Sequence, residues 1–146
     1  MSRKAPGAAA LLDTNVLLAL AWPNHQHHAA AHAWFGKHAR AGWATCALTQ
    51  LGFIRLSSNP AYTPSSVTPA EAASLLEEMI RHPAHQFWPS PPAARPGIFA
   101  HALGHQQVND AWLVEIVRRR PGRLVTFDTR IPVHAEASVV IEVIHS

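Results

Sequence analysis

The sequence predicts an α/β fold: a three-layer sandwich in which a mainly parallel sheet of about five strands is covered by helices on both faces. Two observations carry this reading. Five short strand-like runs, at 8–13, 43–48, 86–88, 123–128 and 138–144, alternate with segments that carry helix patterns and stops, and strands joined through helices lie parallel in one sheet. The first and fourth runs are apolar strands that each end on an aspartate, Asp13 and Asp128, as expected where a buried strand emerges at the carboxyl edge of an open sheet.

The elements follow in order. Residues 8–13 form an apolar run, and "NVLLALAW" continues it with helical spacing as far as Pro23, so a buried strand feeds a short helix. The alanine-rich stretch 27–41 with Trp34 and Phe35 predicts a second helix stopped by Gly42. "WATCAL" is a short strand, and Thr49 is placed to cap a helix over "QLGFIRLSS", ended by Asn59-Pro60. In "TPAEAASLLEEMIRH", Thr68 is an N-cap, Pro69 the first helical residue and Glu71 the third, which together make a capping box. "QFW" is a brief strand, and 89–104 is an irregular connection rich in Pro, Ala and Gly. A helix runs from about Asn109 to Arg120, closed by Pro121-Gly122, before the strands "RLVTFD" and "SVVIEVI".

At 146 residues and 48% apolar content, the chain is expected to form a single domain over residues 1–146 with a proper core. No internal repeat or linker divides it. Ten arginines and two lysines against nine acids favour a polyanionic partner. The lone Cys46 excludes an internal disulfide and a cysteine-based zinc site. Arg3 and Lys4 precede small apolar residues in the manner of a secretory signal, but Asp13 and Asn15 interrupt that run early. No uncharged run approaches the roughly 18 residues that span a bilayer. A soluble, cytoplasmic protein with no membrane association is therefore expected.

The sequence has only three aspartates, Asp13, Asp110 and Asp128. Two end apolar strands and the third falls in the first turn of a helix. A lone carboxylate among leucines loses its hydration at a cost of several kcal/mol unless something compensates. Three like charges in one pocket raise one another's pKa unless a cation lies between them, and Mg²⁺ or Mn²⁺ suits an all-oxygen set. Such an ion activates water and steadies charge on a phosphoryl oxygen. Each of these positions alone is also ordinary capping chemistry.

In order, "LLDTNVLLAL", "TQLGFIRLSSNP", "VNDAWL" and "LVTFDTRI" resemble a PIN-domain ribonuclease of the VapC toxin type, over nearly the whole chain. The resemblance implies a PIN-like α/β/α sandwich, a Mg²⁺- or Mn²⁺-dependent endoribonuclease acting on RNA, a homodimer, and neutralisation by a VapB-type antitoxin. It implies that Asp13, Asp110 and Asp128 are the catalytic metal ligands, with Asn15 and Thr126 bracing the first and last of them. Arg130 matches a basic position beside the site. Family members commonly carry a fourth acid, usually Glu, where this chain has Gln50. A neutral amide there implies weaker metal binding, a doubtful second ion, and an alternative in which a weakened PIN-like module binds RNA or antitoxin without efficient cleavage. Asn109 stands where Thr or Ser is common and can still cap its helix.

Arg55, like Arg130, is placed near the pocket and suits bidentate contact with RNA phosphates, or an ion pair with one of the carboxylates. His28 and His32 share a helix face and could hold zinc, although no acid or cysteine accompanies them. "RRRPGR" at 118–123 reads either as a distal phosphate contact or as cations complementing a helix C-terminus, with Arg118 to Arg120 some 12 to 15 Å along the helix from Asp110. The tryptophans Trp22, Trp34, Trp43 and Trp112 suit core or dimer packing better than base stacking. A haloacid dehalogenase-like phosphatase is disfavoured, because its second aspartate would fall at Asn15 and no lysine follows Lys37.

Overall fold

The computed structural model describes residues 8–131 and 139–146. Arg3, Lys4 and Ser138, which entered the readings of the two ends, lie outside the described residues. The strands are β1 (Ala9–Leu12), β2 (Trp43–Thr45), β3 (His85–Phe87), β4 (Gly122–Thr126) and β5 (Val140–Val143). They form one five-stranded sheet in the order β3-β2-β1-β4-β5, with every pairing parallel. The helices are α1 (Thr14–Ala21), α2 (His28–His38), α3 (Ala47–Ser57), α4 (Pro69–Met79) and α5 (Val108–Arg118).

The period-2 alternation of β1 divides the core. Ala10 and Leu12 join Val16, Leu17, Trp34, Trp43 and Phe53 under α1 to α4. Ala9 and Leu11 join Trp88, Leu113, Ile116 and Val117 under α5. Leu11, Leu12, Val16 and Leu17 are fully buried, and each contributes about 1.5–3 kcal/mol of burial. The sheet is thus covered on both faces, as the alternation of strands and helices predicts. Among the described residues no helix is long and apolar enough to cross a membrane.

The capping box at α4 forms as expected, with Glu71 N–H on the Thr68 hydroxyl at 3.1 Å and Thr68 N–H on the Glu71 carboxylate at 2.9 Å. Two helix starts differ from the expectation. Cys46, not Thr49, is the N-cap of α3; Thr49 is its third residue, with its hydroxyl accepting Cys46 N–H at 3.0 Å. The Thr49 side chain still satisfies the helix start, but from inside it. Likewise α5 begins at Val108 behind Gln107, so Asn109 is its second residue and not its cap.

Two glycines let backbones meet. A Cβ on Gly122 would stand 2.5 Å from the Ala9 carbonyl oxygen and 2.5 Å from the Trp88 ring, so the close β1–β4 pairing requires glycine there. A Cβ on Gly52 would stand 2.7 Å from the Thr14 hydroxyl, so α3 lies directly against the start of α1.

Candidate active site

The strand order reverses at β1, so the crevice of this sheet opens beyond the carboxyl ends of β1 and its neighbour β4. Asp13 is the residue after β1 and the N-cap of α1, in extended conformation (φ −61°, ψ 156°). One carboxylate oxygen accepts Thr14 N–H at 2.7 Å, and the other accepts the Thr126 hydroxyl at 2.8 Å. The Thr126 oxygen also accepts the Asn15 amide N–H at 3.3 Å and Asp128 N–H at 3.0 Å. Asn15 closes the ring by accepting Phe127 N–H at 3.3 Å. The last residue of β4 therefore ties both strand-end aspartates together, while Asn15 joins α1 to the turn after β4.

Asp13, Asp110 and Asp128 all line one cavity of about 330 Å³. Asp110 enters from the first turn of α5. Asp13 is 9% exposed, and its pKa is raised to about 6, chiefly by burial. The Thr126 and Thr14 hydrogen bonds oppose that rise, while the charges of Asp110 and Asp128 add to it. Asp128 behaves oppositely. The fork of Arg130 grips both its oxygens at 3.0 Å, and those hydrogen bonds hold its carboxyl below the usual range against a smaller burial effect.

The donor set suits a hard divalent cation. Both partners of buried Asp13 are neutral, the nearby charges that act on it are carboxylates, and the set is oxygen only. Among the described residues, no three His, Cys, Asp or Glu side chains already stand close enough together to enclose an ion, and Asp128 is turned onto Arg130.

The remaining predicted positions fall into two groups. Arg55, exposed on α3, lines the same cavity, as does Asn15. Gln50 does not line it; its amide donates to the Thr45 hydroxyl at 3.0 Å, which is also paired with His85 at 2.8 Å. The stretch 118–120 is not an open basic patch. Arg118 and Arg119 both grip Glu115, at 2.6 Å and 2.7 Å, and Arg120 lies over the Trp88 ring. Burial pushes the Glu115 carboxyl up, and the hydrogen bonds and charges of the two arginines together hold it below its ordinary value. The i+3 and i+4 spacing from Glu115 was the sequence sign of this pairing. His28 and His32 are each committed to a carbonyl of α1, at 2.7 Å from Ala19 and 2.8 Å from Leu20. Tyr62 and Gln106 also line the cavity. Neither has a periodic or motif signature in the sequence, because Tyr62 reaches the site from a turn and Gln106 from a three-residue 3-10 helix.

A parallel sheet with acids converging on its carboxyl edge defines a class, and residues 10–137 match the family model of the PIN domain. The chain is 42% identical over 134 residues to Ribonuclease VapC39 of Mycobacterium tuberculosis, covering 90% of this chain and 96% of that protein. It is 43% identical over 122 residues to Ribonuclease VapC38 of the same organism, covering 84% and 86%. The chain belongs to the PIN-domain family, in its VapC ribonuclease branch. Solved structures share the fold. VapBC2 from Rickettsia felis, bound to a DNA fragment from its promoter, superposes with a TM-score of 0.66 at 12% identity, over 94% of this chain and 99% of that one. PAE2754 from Pyrobaculum aerophilum gives 0.59 at 20% identity, over 94% and 86%.

Proposed function

We propose that this chain is a divalent-metal-dependent endoribonuclease toxin that hydrolyses RNA phosphodiester bonds and is neutralised by a VapB-type antitoxin. In this reading residues 1–146 act as one PIN-like domain, pair as a homodimer and work in the cytoplasm. The ribonuclease relatives support the activity, and the observation that carries the mechanism is Asp13. It is a buried acid whose hydrogen-bond partners are neutral and which shares one cavity with two further carboxylates.

Asp13, Asp110 and, once freed from Arg130, Asp128 would hold Mg²⁺ or Mn²⁺. When bound, the ion would supply an activated water and offset charge on the phosphoryl oxygens. The rest falls to the chain. Thr126 and Asn15 hold Asp13 in one orientation, so its oxygens are set before substrate arrives. Arg55 stands on the cavity wall where an RNA phosphate would enter, and its planar fork suits two phosphate oxygens. Arg130 pairs with Asp128 and is the cation that would transfer to phosphate if Asp128 turned to the ion. The test is RNA cleavage by the purified protein with Mg²⁺ or Mn²⁺, abolished by EDTA and by Asp13→Asn. Cleavage that survives Asp13→Asn would remove the mechanism.

A second reading has one observation in its favour. Gln50 contributes no charge and is turned onto Thr45, away from the cavity, which fits a module that binds RNA or antitoxin and cuts poorly. Gln50→Glu separates the two: cleavage that appears only in that variant supports the impaired module, and cleavage already present in the wild-type protein supports the enzyme.

A further inference from the structure

We infer that a second cavity, beside the active site and bounded by Trp22, Asn24, His25, Gln26, Tyr62 and Pro64, is a subsite for one unstacked base of the RNA next to the scissile bond. The inference rests on the ribonuclease reading above and adds where the substrate is read. The cavity holds about 310 Å³, within the roughly 300–1,000 Å³ range of small-ligand sites. Tyr62 lines both it and the aspartate cavity, so the two are neighbours across one aromatic ring. Tyr62 is 46% exposed. It is set by the turn after α3, where Tyr62 N–H and Thr63 N–H both donate to the Asn59 carbonyl at 3.0 and 3.1 Å.

The chemistry of the walls suits a base and not a phosphate. None of the described lining residues is Arg, Lys, Asp or Glu. Trp22 donates its indole N–H to the buried Ser57 hydroxyl at 3.0 Å, which anchors the ring and leaves its π surface as what it can offer. Trp22 and Tyr62 thus supply aromatic surface, the usual partner of unstacked RNA bases. His25 Nδ1 accepts His27 N–H at 3.0 Å, which places the ring hydrogen on Nε2 and makes that atom a donor. Burial, with His27 and His28 adding to it, lowers the His25 pKa and favours this neutral form. Asn24 and Gln26 are exposed, and neither amide is engaged by another described residue. Each presents a donor and an acceptor side by side, which matches the paired groups on a base edge. Arg55 stands on the aspartate side of Tyr62, so a phosphate there and a base in the second cavity would be consecutive parts of one strand.

The test uses the full-length protein and short single-stranded RNAs. Oligoribonucleotides varied at each position flanking the cut are compared for kcat/KM with wild type, Tyr62→Ala, Tyr62→Phe and Asn24→Ala/Gln26→Ala. Tyr62→Ala is expected to raise KM by about 5- to 150-fold, the range for loss of one stacked base. Tyr62→Phe should keep wild-type KM, and the amide double variant should flatten the preference for one base. In parallel, short single-stranded RNAs carrying 2-aminopurine at each position in turn are titrated in EDTA onto Asp13→Asn. Quenching that Tyr62→Ala removes is expected there, independently of cleavage. If the wild-type protein cuts nothing but this quenching persists, the base site stands and the nuclease reading falls. Cleavage with unchanged base preference and KM in all these variants would overturn the subsite and leave the nuclease reading intact. An effect of Tyr62→Ala confined to inhibition by the antitoxin would also overturn it.

Discussion

Asp13 is the residue on which the rest depends, and its chemistry sets a measurable pH dependence. Its folded pKa, about 6, lies above the ordinary 3.8. Asp13 therefore favours the metal-free fold below about pH 4, and that contribution is lost as the pH rises through 6. Removing the charge should reverse the loss. In EDTA at pH 8, Asp13→Asn is expected to be more stable than the wild-type protein by about 1–3 kcal/mol, and at pH 4 that advantage should vanish. Thermal unfolding at both pH values checks it; a difference independent of pH would mean that burial is not what raises the acid. Thr126 should behave in the opposite sense. Thr126→Val deletes a hydroxyl that donates to Asp13 and accepts from Asn15 and Asp128. It should lower stability by about 1–3 kcal/mol, as expected for buried partners left unmade, while Thr126→Ser keeps most of it.

At the scale of elements, the site depends on how closely α3 lies against α1. Gly52→Ala gains about 1 kcal/mol of helix propensity but places a methyl 2.7 Å from the Thr14 hydroxyl and 3.0 Å from its methyl. Thr14 is stiff at χ1, so α3 is expected to move outward and carry Arg55 with it. The variant should melt earlier and show a raised KM for RNA, and Thr14→Ala in the same chain should restore both. On α5, Glu115→Gln leaves Arg118 and Arg119 without their shared carboxylate. Since both arginines are nearly half exposed, a loss of about 1 kcal/mol is expected, with RNA affinity unchanged. These elements also show why sequence reading succeeded at some helix starts and failed at others. Thr68 and Glu71 are three apart and bond each other, so the α4 cap is local and visible. Cys46 caps α3 although cysteine carries no capping signature, and Thr49 looked like the cap because it does the same job from the third position.

For the whole molecule, the alternation of strands and helices was enough to place a parallel sheet, and the two apolar runs ending in Asp13 and Asp128 were enough to bring both acids to one cavity at its carboxyl edge. Both depend on local patterns read along the chain. What the sequence did not disclose depends on packing between distant turns. Tyr62 comes to the site through the Asn59 turn, and the turn at 22–26 meets it across a cavity. Arg118 and Arg119 are the local exception: their acid, Glu115, lies one helical turn back, and its i+3 and i+4 spacing is written in the sequence. Gln50 stands where relatives of this type commonly carry an acid and was expected to support the site, yet its amide is taken by Thr45. As proposed, Asp13, Asp110 and Asp128 together would hold one divalent cation. The most direct measurement is Mn²⁺ titration of the metal-free protein, followed by electron paramagnetic resonance, with Asp13→Asn, Asp110→Asn and Asp128→Asn alongside. One ion bound by the wild-type protein and at least a tenfold weaker affinity, about 1.4 kcal/mol, in each variant are expected. Wild-type affinity in any one of the three would contradict the proposal.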